Sequence, residues 1–227
     1  DFLGSYLGDG EAEFMARLGL KHVRLCVAPK VIMEPGSGAL REDRARLLES
    51  AIGRFHRVGL LVMVDIHNED RAAELDPAWQ DGFVRFWSSL AGRLSGADPD
   101  LTMLEFINEP VFEKREEEWN TLNARLAEAV RRAAPEHTLV TSGPNWGGID
   151  GLRKLRLLPD RNVVYSFHCY DPFPFTHPTR SPAQSAPPVA RAPIAHARTS
   201  PASPSTTGAP PTRQAAEPPT RPSRDTA

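Results

Sequence analysis

The sequence predicts an α/β protein of the parallel (β/α)8-barrel type. Three observations predict it. Short apolar runs alternate with amphipathic helical stretches along residues 10–168. The runs are near-continuous in Val, Ile, Leu and Met, which suits parallel strands covered on both faces. Polar residues collect where the runs end: Asp65 and His67, Asn108 and Glu109, Ser142 and Asn145, His168 and Tyr170. Barrels of this type carry their chemistry at the C-terminal ends of the strands. The competing architecture is a doubly wound open sheet. No glycine-rich phosphate loop follows any strand, which weakens its nucleotide-binding version.

Each element has its own signal. Residues 10–18 form a short helical pattern closed by Gly19. Residues 21–29 (KHVRLCVAP) are apolar and β-branched and read as a strand. Residues 41–58 place Leu47, Leu48, Ala51, Ile52, Phe55 and Val58 on one stripe, with Gly59 in the position that ends a helix. The second strand is 60–67 (LLVMVDIH). Asp76 followed by Pro77 is an N-cap with proline at the first helical position. The helix it starts carries Phe83, Phe86, Trp87, Leu90 and Leu94 on one face. Residues 101–108 (LTMLEFIN) give the third strand. Residues 116–134 follow with Trp119, Leu122, Leu126 and Val130 at helical spacing, and Pro135 stops them. The run Glu116 to Glu118 occupies a first helical turn, where negative charge favours the dipole. Strands at 137–142 and 162–168 flank a weaker helix at 151–158. These five strands read as strands 2–6 of a barrel that needs eight and about 250 residues.

Composition divides the chain. It has 227 residues, a net charge of −2, 40% hydrophobic and 25% charged residues. All 17 aromatics lie in residues 1–177, with a charge of −6; residues 178–227 hold 12 of the 22 prolines and a charge of +4. Pro, Ala, Ser, Thr and Arg cannot bury enough apolar surface to offset ordering entropy, so 178–227 is expected to be a disordered tail. No apolar run reaches the 18 residues of a membrane span. A balance near neutral argues against nucleic acid as a partner. Cys26 and Cys169 make neither a disulfide framework nor a zinc site and are expected to be buried thiols on strands.

The sharpest motif is Leu104-Glu105-Phe106-Ile107-Asn108-Glu109-Pro110. Proline ends the ladder where a side chain would be displayed. Glu109 then projects into the mouth beside an amide. A carboxyl in a partly dry cleft has a raised pKa and can act as general acid.

The ordered strand ends resemble those of glycoside hydrolase family 5, the cellulase family. The matching pieces are Val23-Arg24-Leu25, Asp65-Ile66-His67-Asn68, Ile107-Asn108-Glu109-Pro110, Ser142-Gly143-Pro144-Asn145-Trp146 and Tyr165-Ser166-Phe167-His168-Cys169-Tyr170, continuing through His177. The resemblance implies retaining hydrolysis of β-1,4-glucans, with a β-mannan or another β-glycan as the alternative substrate. It makes Glu109 the acid/base. Asn108 would bond the sugar 2-hydroxyl, and Arg24 would orient the nucleophilic carboxylate. His67 and His168 would line the sugar site, Tyr170 would bond the nucleophile, and Trp146 is the candidate stacking platform. The residues also allow plainer roles. Arg24 can pair with buried Asp65 or Glu105, the two histidines can be core residues, and Trp146 can be packing. His22, His56, His137 and His196 read as structural or surface residues.

The resemblance implies no metal and no cofactor, because two carboxylates do the chemistry. It also implies a monomer acting on an extracellular polysaccharide, with no nucleic-acid or membrane partner. A nucleophilic glutamate ending a seventh strand is absent from this sequence. Residues 1–177 are therefore expected to be a partial barrel, cut at both ends. The tail is expected to be out-of-frame translation, in keeping with 17 Arg against 4 Lys in the first part. On that expectation the 227-residue chain alone would be an inactive fragment.

Overall fold

The computed structural model describes residues 8–177. The expected tail at 178–227, and His196 within it, lie outside the described residues. In chain order the elements are α1 (Asp9–Arg17), β1 (His22–Val27), α2 (Pro29–Ile32), α3 (Glu42–Arg57), β2 (Leu61–Ile66), a 3-10 turn (Ala73–Leu75), α4 (Pro77–Leu94), β3 (Thr102–Glu105), α5 (Glu116–Ala133), β4 (Thr138–Ser142), α6 (Ile149–Leu152), β5 (Val163–Ser166) and α7 (Phe173–Thr176).

The five strands are all parallel and lie in the order β1-β2-β3-β4-β5. A doubly wound sheet reverses direction at a switch point. This sheet never reverses, so it is an arc of a barrel. One face of the arc packs on helices. On β2, Val62, Val64 and Ile66 are fully buried, and they join a core with Phe55 of α3, Phe83, Phe86, Trp87 and Leu90 of α4, and Trp119, Leu126 and Val130 of α5. Burying each such side chain contributes about 1.5–3 kcal/mol. Phe55, Trp87 and Trp119 are thus core residues, as their helical stripes predict.

Both tryptophans also fix strand ends. Trp87 Nε1 donates to the Phe106 carbonyl at 2.9 Å, and Trp119 Nε1 donates to the Ser142 carbonyl at 3.0 Å. A buried indole N–H needs an acceptor. Here the acceptors are the carbonyls just before the polar strand ends. The Asp76 cap forms as predicted: its Oδ1 accepts from Ala78 N at 2.9 Å.

Two elements are shorter than their sequence patterns. β3 ends at Glu105, because Phe106 N bonds Val140 O while Asn108 N bonds Ile66 O, on opposite sides. The helix expected at 151–158 is the four-residue α6. A Cβ on Gly151 would strike the Pro144 carbonyl, so this segment is shaped by close backbone packing rather than by periodicity. The other face of the arc is open among the described residues. Val164 of β5 is exposed there, and Phe167 and Tyr170 beyond its end are exposed as well. Both cysteines are exposed, against expectation: Cys26 points to this open face instead of the helix layer.

Candidate active site

The site grows from the register. Cys26 of β1 lies beside Asp65 of β2, and Asp65 lies beside Glu105 of β3. Asp65 and Glu105 are fully buried on the arc's inner face. Arg24, one step down β1, spans them. Its Nε donates to Glu105 Oε2 at 2.6 Å, its Nη2 to Glu105 Oε1 and to Asn108 Oδ1 at 2.9 Å each, and Nη2 sits 3.2 Å from Asp65 Oδ2. Burial pushes the Glu105 carboxyl up, Arg24 pulls it down, and Asp65 adds to the rise. Burial also works to lower the Arg24 guanidinium. The bond to Glu105 and the charges of Asp65 and Glu105 outweigh it and hold Arg24 above its ordinary value. The Cys26 thiol, exposed on one side only, is pushed up to about 11 by partial desolvation and by the charge of Asp65.

These bonds set the orientation of the next two side chains. Asn108 Oδ1 accepts from Arg24, so its Nδ2 faces His67 Nε2 at 3.3 Å. An amide N–H donor requires Nε2 to accept. His67 Nδ1 then carries the proton and donates to Asp65 Oδ2 at 3.1 Å. One amide hydrogen of Asn108 remains for another acceptor.

Glu109 follows in a left-handed backbone conformation, φ 47°. A glutamate there is strained and must be held. The holder is a loop after β2. Arg71 Nη1 donates to the carbonyls of Asn108 and Glu109 at 3.0 and 3.1 Å, and to Glu74 Oε1 at 3.0 Å. Glu74 is fully buried; it also accepts from Asn68 Nδ2 at 3.0 Å and from Val111 N at 2.9 Å. Burial pushes its carboxyl up, against the pull of these three donors. Asn68, Arg71 and Glu74 thus clamp the chain on both sides of Glu109.

A second loop closes from the other side. Asn145, Trp146 and Gly147 take φ of 64°, 63° and 63° in succession. Trp146 N donates to Pro110 O at 3.1 Å, and His168 N donates to Gly147 O at 2.9 Å. The loop therefore brings His168 to Glu109, where Nδ1 and Oε1 stand 2.7 Å apart. The Trp146 ring is half exposed, and the Arg71 guanidinium covers one face at 5.2 Å. Tyr170 is half exposed and meets His168 edge-on, with ring centroids 6.5 Å apart.

Strand ends, paired acid and imidazole, and an exposed indole make a polar cleft rimmed by an aromatic. The sequence profile of the cellulase family (glycosyl hydrolase family 5) matches residues 10–203. The chain belongs to glycosyl hydrolase family 5. It is 26% identical to cellodextrinase A of Ruminococcus flavefaciens over 185 residues, covering 77% of this chain and 54% of that protein. It is 28% identical to endoglucanase C of Acetivibrio thermocellus over 183 residues, covering 76% and 53%. Among solved structures it resembles Thermotoga maritima Cel5A in complex with mannotriose, with a TM-score of 0.70, 23% identity, and coverage of 75% of this chain and 56% of that one. The chain spans about half the length of the curated relatives it matches.

The structure brings six of the seven residues singled out in the family motifs into bonded or ring contact. Arg24, Asn108 and His67 form one chain of bonds; Glu109, His168 and Tyr170 form another. Trp146 joins through Arg71. Arg24 also takes its plainer role, paired with both buried carboxylates. Glu69, a second carboxylate beyond the end of β2, pairs with Lys30 at 2.6 Å on the surface. Arg71 and Glu74 escaped the sequence reading, because a loop has no periodicity to mark them. No second carboxylate free to attack a sugar stands beside Glu109 among the described residues; Asp65 and Glu105 are buried and held by Arg24.

Proposed function

We propose that the whole protein hydrolyses β-1,4-glucosidic bonds by the retaining, two-carboxylate route, with Glu109 as acid/base. The observation that carries this is the 2.7 Å contact between Glu109 and His168, held from both sides by strained backbone. Glu109 gives its proton to the leaving glycosidic oxygen and later takes one from water. His168 shares that proton between the two steps. Asn108, fixed by Arg24, offers its free amide hydrogen to the sugar 2-hydroxyl, a contact that strengthens in the transition state. Arg24 Nη1 has only a 4.0 Å contact with Cys26 Sγ, so it remains to orient the nucleophilic carboxylate. Tyr170 bonds the same carboxylate. The open face of Trp146 takes a sugar ring.

Family membership supports the reaction class, and the endoglucanase and cellodextrinase relatives support a β-glucan substrate. The 24% identity over 153 residues to a mannan endo-1,4-beta-mannosidase of Streptomyces lividans keeps β-mannan as the second reading. A polymer is met outside the cell, so the protein acts there as a secreted monomer. No helix among the described residues is long and apolar enough to cross a membrane. Assay of the whole protein on soluble β-1,4-glucan and on β-mannan tests the proposal. Faster turnover of glucan supports it, and turnover of neither rejects it.

A further inference from the structure

The inner face of β1 and β2 holds a second cluster. Cys26 and Asp65 are register partners on adjacent strands, and His67 follows Asp65 by two residues, on the same face. The Cys26 sulfur, an Asp65 carboxylate oxygen and a His67 ring nitrogen all lie within 4.8 Å of one another. Asp65 is fully buried. Arg24 and His67 share its Oδ2, while its Oδ1 has no hydrogen-bond partner. A buried carboxylate oxygen left unpaired is costly and calls for an explanation.

We propose that Cys26, Asp65 and His67 bind a borderline-soft divalent cation of the Zn2+ type, and that its occupancy disables the sugar site. Thiolate, imidazole and carboxylate are the donors such a cation selects, and three protein ligands leave a fourth position for water. Magnesium and calcium prefer all-oxygen shells, which this cluster does not offer. Asp65 and Glu105 face one cation, Arg24. Adding Cys26 thiolate and a divalent cation brings the group to neutrality. No ligand spacing marks the cluster in the sequence, because the ligands come from two strands.

Binding releases the thiol proton to solvent. His67 must free Nδ1 for the metal, so its proton moves to Nε2. That N–H then faces the Asn108 amide nitrogen, 3.3 Å away. The amide has to turn over, and Arg24 Nη2 loses its acceptor on Asn108. The predicted loss of activity rests on the role proposed for Asn108; binding itself does not.

Co2+ is the probe, because a Co2+–thiolate bond absorbs in the near ultraviolet. The full chain and its Cys169→Ser variant are expected to show this band at one Co2+ per chain, with Zn2+ abolishing it. Cys26→Ser is expected to lose it, and His67→Gln to weaken Co2+ binding at least about tenfold, or 1.4 kcal/mol. Circular dichroism confirms that each variant is folded. No band in the full chain, or a band that survives Cys26→Ser, overturns the site. Activity of the whole protein should fall in proportion to Zn2+ occupancy; unchanged activity at full occupancy overturns the second half. A whole protein inactive on any β-glycan rejects the glycosidase reading, while the Co2+ band still decides the metal site.

Discussion

Arg24 Nε stands 2.6 Å from Glu105 Oε2, across the width of β2. The two residues belong to strands that are not neighbours, so this pair and the Asp65 contact tie three consecutive strands on one face. The guanidinium fork is what permits it: one cation meets two carboxylates and the Asn108 amide.

Removing that cation leaves two buried carboxylates without their charge partner. Arg24→Ala is expected to cost about 3–5 kcal/mol of stability. Arg24→Lys keeps the charge but loses the fork, so it should fall between the two. Denaturant unfolding of the three proteins measures this. A cost under about 1 kcal/mol for Arg24→Ala would mean the network does not hold the sheet.

Arg71 holds the strained turn from behind. Arg71→Ala strips donors from the carbonyls of Asn108 and Glu109 and from buried Glu74. Leaving buried acceptors unmet costs about 1–3 kcal/mol. The whole protein's kcat should drop by about tenfold or more, because small misplacements of a catalytic group are expensive. Arg71→Lys should recover part of it. Wild-type kcat in Arg71→Ala would show that Glu109 holds its place unaided.

The Arg131–Asp160 pair gives a pH dependence. Arg131 Nε and Nη2 meet Asp160 at 2.8 and 3.2 Å, and Nη1 reaches the carbonyls of Pro135 and His137. The hydrogen bond from Arg131 holds the Asp160 carboxyl below its ordinary value. The unfolded chain therefore binds this proton more readily. The pair's stabilisation is complete above the ordinary aspartate value, about 3.9, and fades as pH falls through the lowered folded value. Asp160→Asn should lose about 1–2 kcal/mol at neutral pH and almost nothing in strong acid. Unfolding curves at several pH values check it; a pH-independent difference would assign the loss to something other than charge.

Much of the fold was legible in the sequence because pattern and packing agree. Trp87 and Trp119 sit on helical stripes, and the same side chains fill the core. Asp76 reads as a cap and acts as one. Parallel strands declared themselves by continuous apolar runs, and Glu109 by the Asn-Glu-Pro that follows one of them, although β3 itself stops at Glu105. Other features depended on distant contacts that carry no local signal. Gly151 meets the Pro144 backbone, which shortens α6. Cys26 is exposed because it faces the open side of the arc. Arg71 and Glu74 belong to a loop, and only the folded chain shows that they grip Asn108, Glu109 and Val111.

In the proposed reaction Glu109 protonates the leaving group. Aryl β-cellobiosides of graded leaving ability test it most directly, with the whole protein and its Glu109→Gln variant. With Glu109 as the proton donor, kcat/KM of the variant falls by roughly 100- to 10,000-fold for poor leaving groups that need a proton. The loss is small for a dinitrophenyl leaving group, which departs without one. An equal loss across the series, or no loss at all, would contradict it.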